Sequence, residues 1–198
     1  FFEKIRLFAL ENIDAAGSRR DKRVRWWSAL SLLRSVSSSP AAAASTLRNR
    51  SVLESLSDEK DIEEKGHLSV FDSFEEFDAE GLDAAPGMIL ESSVENHEQY
   101  NRKLKELEKH AETLFGDLDL KLKKITSFLK TKVEEGRRPI VFCSYIPTVE
   151  YLVGQLDGKI RNAEVQGITG RLASEERERR VEALGAVEGK IPILICTD

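Results

Sequence analysis

Beyond Gly136 the hydrophobic pattern changes period, and that change constrains the fold more than any other feature of the chain. Pro139-Ile140-Val141-Phe142-Cys143 is a short unbroken apolar run, which predicts a strand buried on both faces. Val165–Ile168 repeats the run more weakly. Ile191-Pro192-Ile193-Leu194-Ile195-Cys196 repeats it strongly, with Pro192 at the start, where a missing donor is tolerated. Helical spacing fills the gaps. Pro147 and Thr148 can open a helix carrying Val149, Leu152, Val153 and Leu156, which Gly158 ends. Ser174 suits an N-cap, with Glu175 and Glu176 in the first turn, where the helix dipole favours acids, and with Val181 and Leu184 inward. Strand–helix–strand–helix–strand with short connections implies right-handed crossovers and a parallel sheet covered on both faces. The expected class is therefore α/β. Three strands are only about half of a usual sheet.

Upstream the pattern is helical. Phe1, Ile5, Phe8 and Ile13 share a face up to Gly17. A second amphipathic helix follows, basic at its start (Arg19, Arg20, Lys22, Arg23, Arg25) and predicted to turn Trp26, Trp27, Leu30, Leu33 and Val36 inward. Ser39 can cap a third, and Pro40 fits its first position, whose N–H needs no partner. Farther on, Val94, Tyr100, Leu104, Leu107, Ala111 and Leu114 form one stripe that Gly116 ends. Leu118, Leu122, Ile125 and Leu129 mark another helix.

Between these parts the charge segregates. From Ser51 to Glu91, 13 acidic residues stand against Lys60 and Lys65, a local net of −11, while the rest of the chain nets +6. Such a run, broken by Ser, Gly and scattered Phe, reads as a flexible linker or insertion. Phe71, Phe74 and Phe77 could form one docking turn within it. The expected organisation is a helical region over 1–50, an acidic linker over 51–92, a helical connector over 93–135 and an incomplete α/β domain over 136–198. Bulky Phe1 and Phe2 suit a natural surface tail poorly, and the last strand has no trailing segment, so the chain is expected to be a fragment of a longer one.

Composition narrows the classes. Cys143 and Cys196 are too few for a disulfide framework or a four-ligand zinc site, and no run approaches the ~18 apolar residues of a membrane span. The expectation is a cytoplasmic protein with no membrane partner and no resident metal. His67, His97 and His110 are scattered without metal-ligand spacing and are expected on helix surfaces.

In an open parallel sheet, ligands bind at the carboxyl ends of the strands. Here those ends are Ser144-Tyr145, Thr169-Gly170-Arg171 and Thr197-Asp198. Hydroxyls, a guanidinium and a backbone amide exposed at Gly170 suit phosphate contacts that hold a nucleic-acid backbone without reading its sequence. The same residue types also serve as ordinary turn and cap residues.

Pro139–Tyr145, Ile168-Thr169-Gly170-Arg171, the charged segment Ser174–Leu184 and Ile193–Asp198 together resemble the second RecA-like domain of superfamily 2 helicases, nearest to the SNF2-type branch. Phe142-Cys143-Ser144 resembles its motif IV, Thr169-Gly170 the segment that follows, and Cys196-Thr197-Asp198 the opening of motif V. Trp26–Arg50 is similar to the helical region before that domain in bacterial SNF2-like helicases, with the helicase of the DISARM phage-defence system the nearest likeness. The resemblance implies a partial RecA-like sheet in an ATP-driven motor that grips DNA by its backbone. It implies phosphate contacts from Ser144, Thr169, Gly170 and Thr197, with Asp198 coupling that grip to the nucleotide site. Tyr145 and Arg171 join the candidate set by position, Arg171 also by charge. ATP and Mg²⁺ are implied for the whole motor.

Several motor parts are missing from the sequence. Gly158-Lys159 and Gly189-Lys190 are each followed by Ile, so neither supplies the hydroxyl of a G-x-x-x-x-G-K-[ST] loop. Asp58-Glu59-Lys60-Asp61 matches a DExD box only in letters, because no apolar strand leads into it. The segment Gln166–Arg171 resembles motif VI but precedes motif V. Hydrolysis by this chain alone is therefore not expected, and no catalytic residue is assigned within it. Two alternatives remain: a helical protein-interaction module on an incomplete α/β scaffold, with the Arg19–Val36 helix docking a partner, and a different nucleotide-binding α/β enzyme.

Overall fold

Serine hydroxyls set the first helix boundaries. Ser18 Oγ accepts the Asp21 amide at 3.0 Å and Ser39 Oγ accepts the Ala42 amide at 3.0 Å, each satisfying a first-turn donor that has no partner within its helix. The computed structural model describes residues 1–50, 54–55, 90–91 and 97–197. Most of the 51–92 linker lies outside these residues, including His67, Phe71, Phe74, Phe77 and the Asp58–Asp61 box. Val94 and Asp198 lie outside them too.

The described chain falls into two units that divide between Thr113 and Leu114. The first contains α1 (Phe2–Asp14), α2 (Arg19–Ser38), α3 (Pro40–Asn49) and α4 (His97–Thr113). It also contains β1 (Glu54–Ser55) and β2 (Leu90–Glu91), which pair in parallel within the stretch read as linker. Ile5, Phe8, Leu32, Leu47 and Leu104 form the core of this unit. Ala43 and Ala44 of α3 meet Ala111 of α4, small side chains that let the two helices approach closely. Arg48 bridges the same pair, reaching Glu108 at 2.7 Å and Glu112 at 2.8 Å.

The inward face of α2 differs from the predicted one. Val24, Ser28, Ala29, Ser31, Leu32 and Ser35 are buried, whereas Trp26 is 52% exposed and Leu33 and Val36 only flank the core. Packed against α1 and α3, α2 buries its small residues, which fit where an indole would not; Ser35 satisfies its own hydroxyl on the Leu32 carbonyl at 2.9 Å.

The second unit runs from a 3₁₀ turn (Gly116–Leu118) through α5 (Leu120–Glu134), β3 (Ile140–Cys143), α6 (Ile146–Leu156), β4 (Ala163–Ile168) and α7 (Ser174–Gly185) to β5 (Ile191–Thr197). The expected α/β class is found: three parallel strands in the order β3-β5-β4, flanked by helices and preceded by a helical region, consistent with a partial RecA-like fold. Asp119, not Leu118, starts α5. Its Oδ1 accepts the Lys121 and Leu122 amides, and Leu118 stands exposed in the preceding turn.

The order reverses between β4 and β5, so two right-handed crossovers place α6 and α7 on opposite faces of the sheet. Paired residues of parallel strands share a face. Cys143, Gly167, Ile193, Ile195 and Thr197 look toward α6, and a Cβ on Gly167 would stand 2.9 Å from Val153 Cγ2. Ile140, Phe142, Leu194, Cys196 and Ile168 share the other face, where α7 lies against the edge strand β4. The expectation that β3 is buried on both faces is therefore wrong: Ile140 is 56% and Phe142 66% exposed, because α7 covers β4 and leaves the β3 side open. The same sparse cover leaves Val181 exposed while Leu184 is buried. Ser174 is the first residue of α7 rather than its cap, and its Oγ accepts from Arg177 at 2.9 Å. Cys143 and Cys196 are buried free thiols.

Candidate nucleic-acid interface

All three strands are parallel, so their carboxyl ends share one sheet edge. Thr197 ends the central strand in register with Cys143, and Cys196 is in register with Ile168. Thr169 therefore stands level with Thr197 on one side, and Ser144 stands one residue beyond it on the other. At ~4.8 Å between neighbouring strands, the three hydroxyl-bearing positions form a row roughly 10 Å across. That row spans two or three phosphates at the ~3.4 Å rise of one DNA strand. The chain leaves β3 and β4 toward opposite faces of the sheet.

The candidate residues differ in what they offer. Ser144, Thr169, Gly170 and Thr197 are half-buried, and the Leu172 amide closes a turn onto the Thr169 carbonyl at 3.1 Å. Arg171 is exposed and pairs loosely with Glu150 of α6, at 3.5 Å. An exposed pair of this kind is worth ~0–1 kcal/mol, so a phosphate can displace the carboxylate at little cost. Tyr145 departs from the expectation. It is 4% exposed and its carbonyl accepts the Thr148 and Val149 amides, so its ring packs in the interior and does not line the rim. Asp198 lies outside the described residues.

Sequence reasoning missed two contributors. Glu150 sets the charge beside Arg171; its place one turn into the helix that follows Tyr145 was the available signal. The first turn of α6 has no acidic residue and no capping side chain, so its positive dipole end adds to the anion-binding character of the edge. The start of α7 contributes less, since Glu175 and Glu176 occupy its first turn. Hydrogen bonds from Arg180, then Arg179, hold the Glu176 carboxyl below the usual carboxylate range, so it stays ionised there.

Among the described residues, neither Gly-Lys pair stands at the rim. Gly158 and Gly189 adopt φ values of +67° and +75°, but each precedes a strand and so lies at the sheet's amino end, away from the rim. Lys190 is bound to Glu164 at 2.7 Å and Lys159 to Gln155 at 3.2 Å. Among the described residues no group of three or more His, Cys, Asp or Glu side chains is placed to hold a metal ion. No described helix is long and apolar enough to cross a membrane.

With this sheet and its rim established, one comparison bears directly on it. Residues 120–198 match the helicase conserved C-terminal domain. The match supports a superfamily 2-type helicase C-terminal domain in this part of the chain, covering α5, the whole sheet and the rim. It covers less than half of the chain, and α1–α4 lie outside it. No curated protein and no solved structure matches the chain.

Proposed function

We propose that the chain is part of an ATP-dependent, SNF2-type DNA helicase or translocase and contributes backbone contacts to it. The observation that carries this reading is the alignment of Ser144, Thr169 and Thr197 along the carboxyl edge of a sheet that matches a helicase C-terminal domain. In this reading the three hydroxyls and the amide at Gly170 hold successive phosphates, and Arg171 exchanges Glu150 for phosphate. Asp198 links the grip to a nucleotide site formed elsewhere in the motor. ATP and Mg²⁺ belong to that other part, and the chain alone turns over no ATP.

Contacts of this kind are indifferent to base sequence and weaken as salt rises, because each neutralised phosphate releases counterions. The test is DNA-stimulated ATP hydrolysis by the intact motor carrying Thr197→Ala. The expected result is a lower DNA-stimulated rate with the DNA-independent rate unchanged. A stimulated rate equal to wild type would remove Thr197 and the rim from the DNA path.

A further inference from the structure

The face of α2 predicted to turn inward is, at its amino end, turned outward, and what it presents has a definite chemistry. The helix carries six basic residues against Asp21 alone, in a chain whose net charge is −5. Arg19, Lys22 and Trp26 are exposed at three- and four-residue spacing, so they line one stripe along about two turns, or ~11 Å. Asp21 is only half-exposed and, by the 3.6-residue period, lies on the other side of the helix. Arg25 is drawn inward and donates to the Asn12 carbonyl at 2.6 Å. Among the described residues neither Arg19 nor Lys22 enters an ion pair.

Two cations beside an exposed indole suit one ligand better than its rivals. A single nucleic-acid strand offers phosphates to the cations and a base whose face can stack on the ring, a combination that tolerates any sequence. An acidic peptide would use the cations and leave the indole idle. A membrane surface would want a broad apolar face, and here Leu30 and Leu33 are half-buried. We infer that Arg19, Lys22 and Trp26 form a second contact for single-stranded nucleic acid, outside the residues that match the helicase domain and separate from the rim of the sheet.

The full chain carrying Trp27→Phe leaves Trp26 as its one tryptophan. Titration with oligothymidylate should quench Trp26 emission to saturation, and the midpoint should move to higher oligonucleotide concentration as salt is raised. Trp26→Ala, or Arg19→Glu with Lys22→Glu, should weaken binding by about tenfold, read by anisotropy of a labelled oligonucleotide. All three positions are exposed, and circular dichroism checks that the variants fold. Thr197→Ala should leave the Trp26 quench in place, which separates this contact from the rim. The inference fails if Trp26 emission is unmoved while the oligonucleotide binds, or if Thr197→Ala abolishes the quench. It also fails if polyglutamate or anionic phosphatidylglycerol vesicles quench Trp26 as strongly as the oligonucleotide, outcomes that would assign the stripe to an acidic peptide or a membrane.

Discussion

Tyr151 donates its hydroxyl hydrogen to Asp119 Oδ2 at 3.0 Å and accepts the Gly116 amide at 3.0 Å, tying α6 to the turn before α5. Burial, more than the nearby Asp119 carboxylate, pushes the phenol up from 10 to about 12. The neutral phenol is the form the fold uses. Its contribution is fully present below pH 10, where the unfolded phenol is also neutral, and is lost as pH rises through about 12. Tyr151→Phe should cost ~1–2 kcal/mol at neutral pH, since it leaves a half-buried amide and a buried carboxylate oxygen without this partner. It should also flatten the loss of stability between pH 10 and 12, measured by urea unfolding. An unchanged alkaline slope would show that another group controls it. Arg50 is a second case of burial against chemistry. It is 3% exposed, donates to the Ser28 carbonyl and bonds Tyr100, and desolvation lowers its pKa from the ordinary guanidinium value.

At the scale of elements, boundaries follow local chemistry and faces follow neighbours. Ser39 and Pro40 were legible as a helix start because a cap needs only its own next three residues. Ser39→Ala should cost ~1 kcal/mol by thermal or urea unfolding. The core side of α6 was legible too, since Val149, Leu152 and Leu156 recur on one face and all are buried. The inward face of α2 was not, because serines read as polar although here they allow two helices to approach. Nor was the open side of β3: an apolar run looks the same whether or not a helix covers it. At the rim, strand ends identified the edge and the hydroxyl positions, but the burial of Tyr145 depends on a core that no local pattern describes. Asp119 is a cap next to a stripe whose apolar spacing extends back to Leu118, so periodicity alone sets the boundary one residue early. Gly167 is a comparable hidden constraint. Its missing Cβ lets α6 lie close over β4, so Gly167→Ala should cost ~1–3 kcal/mol by forcing Val153 and Val149 away.

Across the molecule, an overall acidic balance conceals a basic helix in the first unit and an anion-suited edge in the second. Either surface alone predicts salt-sensitive DNA binding, which net charge by itself would have argued against. The order β3-β5-β4 also has a consequence in time. Among the described strands, β3 and β4 do not pair with each other, and each bonds to β5, the last of the three to be synthesised. A nascent chain that has emerged as far as Lys190 thus holds two strands with nothing between them, and sheet formation must wait for the next seven residues. Parallel pairing closes long loops before any ladder forms, which makes this a slow and all-or-none step. Deleting residues 191–197 should therefore abolish slow amide exchange in β3 and β4 together while leaving that of α1–α4 intact. Protection surviving in either strand would mean that the sheet can begin without its centre.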